Sequence, residues 1–240
     1  MIIAFDYDDT ISFLDHKMFR KELEKNNLIK YSKMLQENVY LEYKGNHLPY
    51  LYNSNLLRCH PLELCTLNFG FSLVLKLLDE GYSFENADNF SKREILNLFY
   101  RSKRRINKHD LKFLDYLIRN NNKIAIITMS NEEDISAEIK KRKIEIYDNV
   151  NKTYVNGNNY LNVYGLKIAV DRPYYKKVLN EINPDIVVGN SFSIDLSLPV
   201  FMNKKVFLVK NDCTIEIFKR YIEERGNCVI NYIAELKRFL

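Results

Sequence analysis

The chain has 240 residues, 46% of them hydrophobic, and its 36 Lys and Arg outnumber 31 Asp and Glu for a formal charge of +5. That apolar share suffices for a packed core and excludes an intrinsically disordered chain, while the length allows one large domain or a core domain carrying a smaller one. The mild basic excess suits an anionic ligand, serves equally as ordinary surface charge, and does not call for nucleic acid.

In chain order, Ile2-Ile3-Ala4-Phe5 is a short apolar run that stops at Asp6. A strand covered on both faces of a parallel sheet has this pattern. From about Ser12 to Phe99 no clear buried strand follows. Leu56-Leu57, Leu62, Leu64, Phe69 to Leu78 and Ile95 to Tyr100 have helix-face spacing, and the stretch is too long for a structureless loop. It is expected to be a mainly helical insert over residues 15–99, with 1–14 and 100–240 forming the core domain. Leu111, Leu114, Leu117 and Ile118 then predict a helix before a second buried strand, Lys123 to Ile127, which ends at Thr128. Ile135 and Ile139 predict a helix after it. Val178, Leu179 and Ile182, with Pro173 near the helix start, precede a third strand, Asp185 to Val188, ending at Gly189. Val206 to Val209 is a fourth strand. Short runs around Ile144-Glu145-Ile146 and Cys228-Val229-Ile230 add edge strands, and Ile215 to Tyr221 and Ile233 to Leu240 are expected helices. Asn120-Asn121-Asn122 and Asn156-Gly157-Asn158-Asn159 mark turns. Strand alternating with helix means an α/β fold, an open parallel sheet with helices on both faces.

The four cysteines, Cys59, Cys65, Cys213 and Cys228, form no C-x-x-C pair. Cys59, His60 and Cys65 come nearest to a ligand cluster but have no zinc-site spacing, and core or helix-face positions are expected for them. Reduced thiols and a cytoplasmic location are the expectation. The first apolar run is too short for a signal peptide, and no stretch reaches the roughly 18 apolar residues needed to span a bilayer. The basic run Arg101-Ser102-Lys103-Arg104-Arg105 could meet nucleic acid or a polyanion; the wet face of a helix is the expected reading, since no nucleic-acid motif accompanies it.

In an open α/β sheet, ligands bind beyond the carboxyl ends of the strands. Three such ends carry suggestive groups. The first reads Asp6-Tyr7-Asp8-Asp9-Thr10, where two carboxylates two apart repel unless a cation or shared proton relieves them; an aspartate-rich turn would look the same. The second offers Thr128 and Ser130, which could bind an anion beside backbone N–H groups or merely cap a helix. The third, Gly189-Asn190-Ser191-Phe192-Ser193-Ile194-Asp195, allows a sharp turn and supplies oxygen ligands of the kind Mg2+ takes, or is a polar loop.

Together these motifs resemble the haloacid dehalogenase (HAD) superfamily along nearly the whole chain. D-x-D-x-T after an apolar strand is matched by Asp6, Asp8 and Thr10. The Ser or Thr ending a second strand is matched by Thr128, and G-D-x-x-x-x-D by Gly189 and Asp195. Ile146-Tyr147-Asp148, and the tail of Cys228-Val229-Ile230 followed by Glu235-Leu236, are similar to later parts of that fold. Two departures stand out. Asn190 takes the place of the usual metal-binding aspartate, and the basic residue of the third motif is ambiguous: Arg172 fits best by spacing, with Lys176 and Lys167 as rivals.

The resemblance implies a Mg2+-dependent phosphatase acting on a small phosphorylated molecule. In it Asp6 is the nucleophile that forms an aspartyl-phosphate, and Asp8 is the general acid and base. Thr10, Thr128 and Arg172 or Lys176 hold the phosphate. Asp6, Asp8 through its carbonyl, Asn190 and Asp195 hold the metal. It also implies that the insert is a C1-type cap that selects the substrate, with Arg58, Tyr50 and Tyr52 among unranked candidates. A carboxylate at Asp8 points to phosphatases and phosphomutases. A catalytically weakened protein that binds a phosphorylated ligand is the other alternative. The oligomeric state is left open, and no membrane partner is expected.

Overall fold

The computed structural model describes residues 1–37, 42–43, 46–47, 65–102, 105–150, 159–211, 214 and 216–240. The chain divides into two compact units, Met1–Phe13 with Arg105–Leu240, and Leu14–Arg104.

In chain order the strands are β1 (Ile2–Phe5), β2 (Ser12–Phe13), β3 (Glu42–Tyr43), β4 (Asn46–His47), β5 (Arg105–Ile106), β6 (Lys123–Ile127), β7 (Glu145–Tyr147), β8 (Tyr160–Val163), β9 (Leu166–Ala169), β10 (Ile186–Gly189), β11 (Lys205–Val209) and β12 (Cys228–Ile230). The helices are α1 (His16–Lys25), α2 (Ile29–Glu37), α3 (Cys65–Asp79), α4 (Phe84–Arg101), α5 (Lys108–Arg119), α6 (Ala137–Lys140), α7 (Pro173–Ile182), α8 (Ser197–Phe201) and α9 (Glu216–Glu224).

The first unit is built on a six-stranded sheet of order β12-β11-β10-β1-β6-β7, parallel at every pairing. Side chains alternate between its faces, and both faces are covered. On one, Ala4, Ala125, Val187 and Leu208 meet Val178 and Leu179 of α7 and Phe218 and Ile222 of α9. On the other, Ile3, Phe5, Ile126, Val188 and Phe207 meet Leu114 and Leu117 of α5 and Leu236 near the carboxyl end. Double coverage is why the strands read as unbroken apolar runs, and each fully buried Leu, Ile or Phe adds roughly 1.5–3 kcal/mol. β1 lies between β6 and β10, so the strand order changes direction beside it. This is the switch point at which open α/β sheets hold their ligands.

All six expected sheet strands are present. The predicted helix around Ile135 and Ile139 is a 3-10 turn, Glu132–Asp134, followed by the four-residue α6. Ile233–Arg238 is 3-10 rather than α. An unpredicted hairpin, β8 and β9, turns through Tyr164 at φ 48° and Gly165 at φ 91°. Both central residues have positive φ, the two-residue turn that matches strand twist.

The second unit is mainly helical where described, with β3 and β4 forming a two-stranded antiparallel pair. Phe19 and Leu23 of α1, Tyr31 and Leu35 of α2, Val74 and Leu78 of α3 and Leu98 of α4 share one core. Ser83 caps α4 by accepting the Asn86 N–H at 3.3 Å. Tyr50, Tyr52, Arg58, Cys59, His60, the apolar positions 56–64, Asn156–Asn158 and Cys213 lie outside the described residues, as do the side chains of Cys65, Tyr100 and Lys167. Arg101 ends α4 and Arg105 opens β5, with Lys103 and Arg104 outside the described residues, so the described ends of the basic run belong to a helix and a strand rather than one helix face. Among the described residues no helix is long and apolar enough to cross a membrane.

Candidate active site

Four adjacent strands, β6, β1, β10 and β11, end on the same side because they are parallel, and each delivers polar groups there. Asp6 follows β1 directly, and its N–H donates to the Val188 carbonyl of β10 at 2.8 Å. The next residues turn sharply. Asp9 adopts φ 60°, which Asp tolerates better than most side chains, and its N–H donates to the Ser12 carbonyl at 2.7 Å. Ile11 and Ser12 both donate back to the Tyr7 carbonyl, at 3.0 and 2.9 Å. Tyr7 is buried, and its hydroxyl accepts the Ser136 N–H at 3.0 Å. The loop is therefore pinned at both ends.

That turn brings Thr10 back over Asp6, where its hydroxyl donates to Asp6 Oδ2 at 3.0 Å. From β10 comes Asn190. Its Oδ1 faces the Asp8 carbonyl and Asp6 Oδ2; with the amide turned over, Nδ2 would donate to them at 2.9 and 3.3 Å and Oδ1 would accept from Asn211 Nδ2 at 3.1 Å. Thr10 Oγ1 lies 3.3 Å from the same inward-facing amide atom. One hydroxyl carries one proton, and the shorter of its two contacts is the one to Asp6. Asn190, expected as an oxygen ligand, thus lies beside Asp6 and Asp8.

Thr128 ends β6, and its Oγ1 accepts the Ser130 N–H at 3.1 Å. The Ser130 hydroxyl in turn bonds Asp8 Oδ2, which ties the β6 end to the β1 loop. Asp8 is half-buried, whereas Asp6 and Asp195 are buried.

The segment after β10 is a single turn of π-helix, Phe192–Leu196, rather than a loop. Asp195 folds back so that Oδ2 accepts the Ser191 N–H at 2.9 Å. This requires Gly189: a Cβ there would lie 2.4 Å from Asp195 Cβ and 2.7 Å from its Oδ2. Arg172, only 1% exposed, donates to the carbonyls of Ser193 and Ile194, and the Tyr175 hydroxyl donates to the Asp195 carbonyl at 2.6 Å. A π-turn leaves carbonyls outside the regular ladder, and these two side chains satisfy them. Lys176, one turn on in α7, is exposed, so the buried cation is Arg172 and its visible bonds hold the Asp195 turn.

Burial pushes the Asp6 carboxyl well above the usual carboxylate range, and the charges of Asp195 and then Asp8 push it further; the Tyr7 N–H and Thr10 hydroxyl oppose this. Crowded carboxylates of this kind are relieved by a cation or a shared proton. Among the described residues no three His, Cys, Asp or Glu converge as a metal-ligand cluster. Mg2+ needs fewer, since one or two carboxylates with carbonyl, water and phosphate oxygens suffice. Asp6, Asp195 and the Asp8 carbonyl are hard oxygens of that type, so the donor set fits the ion, and Asn190 Oδ1 faces Asp6 and the Asp8 carbonyl.

Sequence reading missed Ser130 as a partner of Asp8, and Asn211 and Tyr175 altogether. Asn211 lies just past β11, and strand-end position was the available signal.

No family model matches the sequence, and no curated protein does. Solved structures share its fold. A predicted phosphoglycolate phosphatase from Haemophilus somnus 129PT is similar over 99% of this chain and 96% of its own, at 12% identity and TM-score 0.53. An archaeal beta-phosphoglucomutase from Pyrococcus sp. strain ST 04 covers 98% and 95%, at 13% and 0.50. The HAD-hydrolase YfnB from Bacillus subtilis, solved bound to magnesium, covers 100% and 97%, at 13% and 0.50. At such identities the likeness is one of fold.

Proposed function

We propose that this chain, which has the fold of the haloacid dehalogenase hydrolases, is a phosphohydrolase acting on a small phosphorylated molecule, with Asp6 as nucleophile. The observation that carries this reading is the meeting of Asp6, Asp8, Thr10, Asn190 and Asp195 at adjacent strand ends, with Thr128 joined through Ser130.

Asp6 attacks phosphorus in line with the leaving oxygen; the Asp6 O–P bond forms as the P–O bond to the leaving group breaks. Asp8, less buried than Asp6 and oriented by Ser130, gives the leaving oxygen its proton. It then takes a proton from the water that opens the aspartyl-phosphate. Thr10 orients Asp6, and the hydroxyls of Thr10 and Thr128 are placed to meet phosphate oxygens. Arg172 holds the Asp195 turn and adds positive charge near the carboxylates. A Mg2+ ion held by Asp6, the Asp8 carbonyl and Asp195 would offset the negative charge shared by the carboxylates and the phosphoryl oxygens. Substrate choice is assigned to the insert of residues 15–99 as a cap after the first strand, and the location to the cytoplasm.

The test is p-nitrophenyl phosphate hydrolysis across a magnesium titration, for the wild type and Asp6→Asn. Turnover that rises with magnesium and vanishes in the variant, with the circular dichroism spectrum retained, is expected. Steady hydrolysis by Asp6→Asn would sink the assignment. The uncharged Asn190, standing where the resemblance has a metal-binding aspartate, favours one second reading, a weakened protein that binds a phosphorylated ligand. That reading predicts phosphate binding without turnover at any metal level.

A further inference from the structure

The π-turn that carries Asp195, Phe192–Leu196, is held from outside by buried side chains. Its Ser193 carbonyl accepts from Arg172 and from the Ser197 hydroxyl at 2.8 Å, its Ile194 carbonyl accepts from Arg172, and its Asp195 carbonyl accepts from the Tyr175 hydroxyl at 2.6 Å. A carbonyl can only accept, so the direction of each bond is fixed. Arg172, Tyr175 and Ser197 are all buried, so bulk water does not compete for these carbonyls. The outcome is the placement of the Asp195 carboxyl. Its Oδ2 accepts the Ser191 N–H at 2.9 Å, and it packs so close under Gly189 that a Cβ there would lie 2.7 Å from Oδ2. Single π-turns are rare and cost backbone bonding, so this one persists because the donors around it favour it.

The geometry points to Tyr175 as a positioning residue that sets the divalent-cation affinity of the site by holding the Asp195 carbonyl, and with it the carboxyl of the same residue. This rests on the proposed phosphohydrolase reading, in which Asp195 is a ligand of Mg2+. The hydroxyl acts on the Asp195 backbone and not on the ion. Without it a buried carbonyl loses this donor, and the turn gains by rearranging toward regular helix, which carries the carboxyl away from Gly189. Only molecules that keep the π-turn then bind the ion with full strength, so the apparent affinity falls with their fraction. The loss of one such bond corresponds to about fivefold. Removal of the Ser197 hydroxyl is a milder cut, because the Ser193 carbonyl keeps Arg172.

The experiment is calorimetric titration of Mg2+ into the full chain for the wild type, Tyr175→Phe, Ser197→Ala and Val178→Ala, with the fold of each checked by circular dichroism and amide hydrogen exchange followed without metal. Tyr175→Phe leaves the ring in the core beside α7 and removes only the hydroxyl. It is expected to bind Mg2+ about fivefold more weakly than the wild type, and the amides of residues 192–196 should exchange faster by about the same factor. Ser197→Ala is expected to weaken binding by about twofold, and it carries the test if Tyr175→Phe does not fold. Val178→Ala thins the same core without touching the turn, so it is expected to lower the urea midpoint and to keep the wild-type affinity. Wild-type affinity in both Tyr175→Phe and Ser197→Ala overturns the role of Tyr175 and leaves the phosphohydrolase reading in place. Equal weakening in Val178→Ala overturns it as well, since the effect would then be general loss of stability. So does weaker binding with unchanged exchange at 192–196, because the effect would not pass through the turn. A wild type that binds no Mg2+ overturns the cation reading of the site, and the positioning role with it.

Discussion

Asp110 sits on the buried face of α5, where Oδ1 accepts the Ala234 N–H at 3.1 Å and Oδ2 has no hydrogen-bond partner. Burial raises its pKa from 3.8 to about 6, against the opposing pull of the Ala234 N–H and of His109. Because the folded pKa lies above the unfolded one, the native state binds more protons than the unfolded chain between about pH 4 and 6, and stability is lost as pH rises through that window. The penalty is absent below it and complete above it. At 1.36 kcal/mol per pKa unit the rise to about 6 corresponds to about 2–3 kcal/mol. Asp110→Asn keeps the acceptor for Ala234 and removes the charge. It is expected to match the wild type near pH 4 and to exceed it by about 2–3 kcal/mol at pH 7. Urea unfolding at a series of pH values measures this, followed by far-ultraviolet circular dichroism because the chain contains no tryptophan. Parallel stability curves for the two proteins, or a less stable Asn variant at pH 7, would refute the account of this carboxyl as a buried charge.

Gly189→Ala forces Asp195 away from a Cβ 2.4 Å distant, and should lower stability by about 1–3 kcal/mol while abolishing turnover; urea midpoints and p-nitrophenyl phosphate hydrolysis check both, and an active, stable variant would contradict the packing. Arg172→Met strips two buried carbonyls of their donors, so a loss of about 3 kcal/mol or more is expected in the same urea assay. Unchanged stability with weakened phosphate binding would instead make Arg172 a phosphate ligand alone. The Asp6 carboxyl, raised by burial and by Asp195 and Asp8, must be ionised to attack, so activity is expected to fall on acidification through that raised value. A cation favours the ionised form, so the acid limb of kcat/KM should move to lower pH as Mg2+ is increased; a limb that does not move would count against Asp6 as a metal ligand.

The sheet was legible in the sequence because β1, β6, β10 and β11 are buried on both faces, and burial on both faces leaves an unbroken apolar run. The β8–β9 hairpin was not, because its alternation spans only four residues per strand and Tyr164 stands where the turn usually has Asn or Gly. Strand ends identified Asp6, Thr10, Asn190 and Asp195 as neighbours in chemistry. The direction of a side chain is another matter. That Arg172 bonds the carbonyls of a π-turn and that Ser130 orients Asp8 both follow from tertiary hydrogen bonds, which one-dimensional spacing does not encode.

The placement of β1 bears on how this protein is made. Its neighbours are Lys123–Ile126 on one side and Ile186–Val188 on the other, so during synthesis the strand stays at best half-paired until β10 emerges. During that interval Ile2 to Phe5 is a bare apolar edge, the kind of surface that recruits chaperones or stray strands. A nascent chain stalled before β10 would carry Asp6 without the Val188 carbonyl that receives its N–H, and so would hold the reactive carboxylate on an unanchored strand.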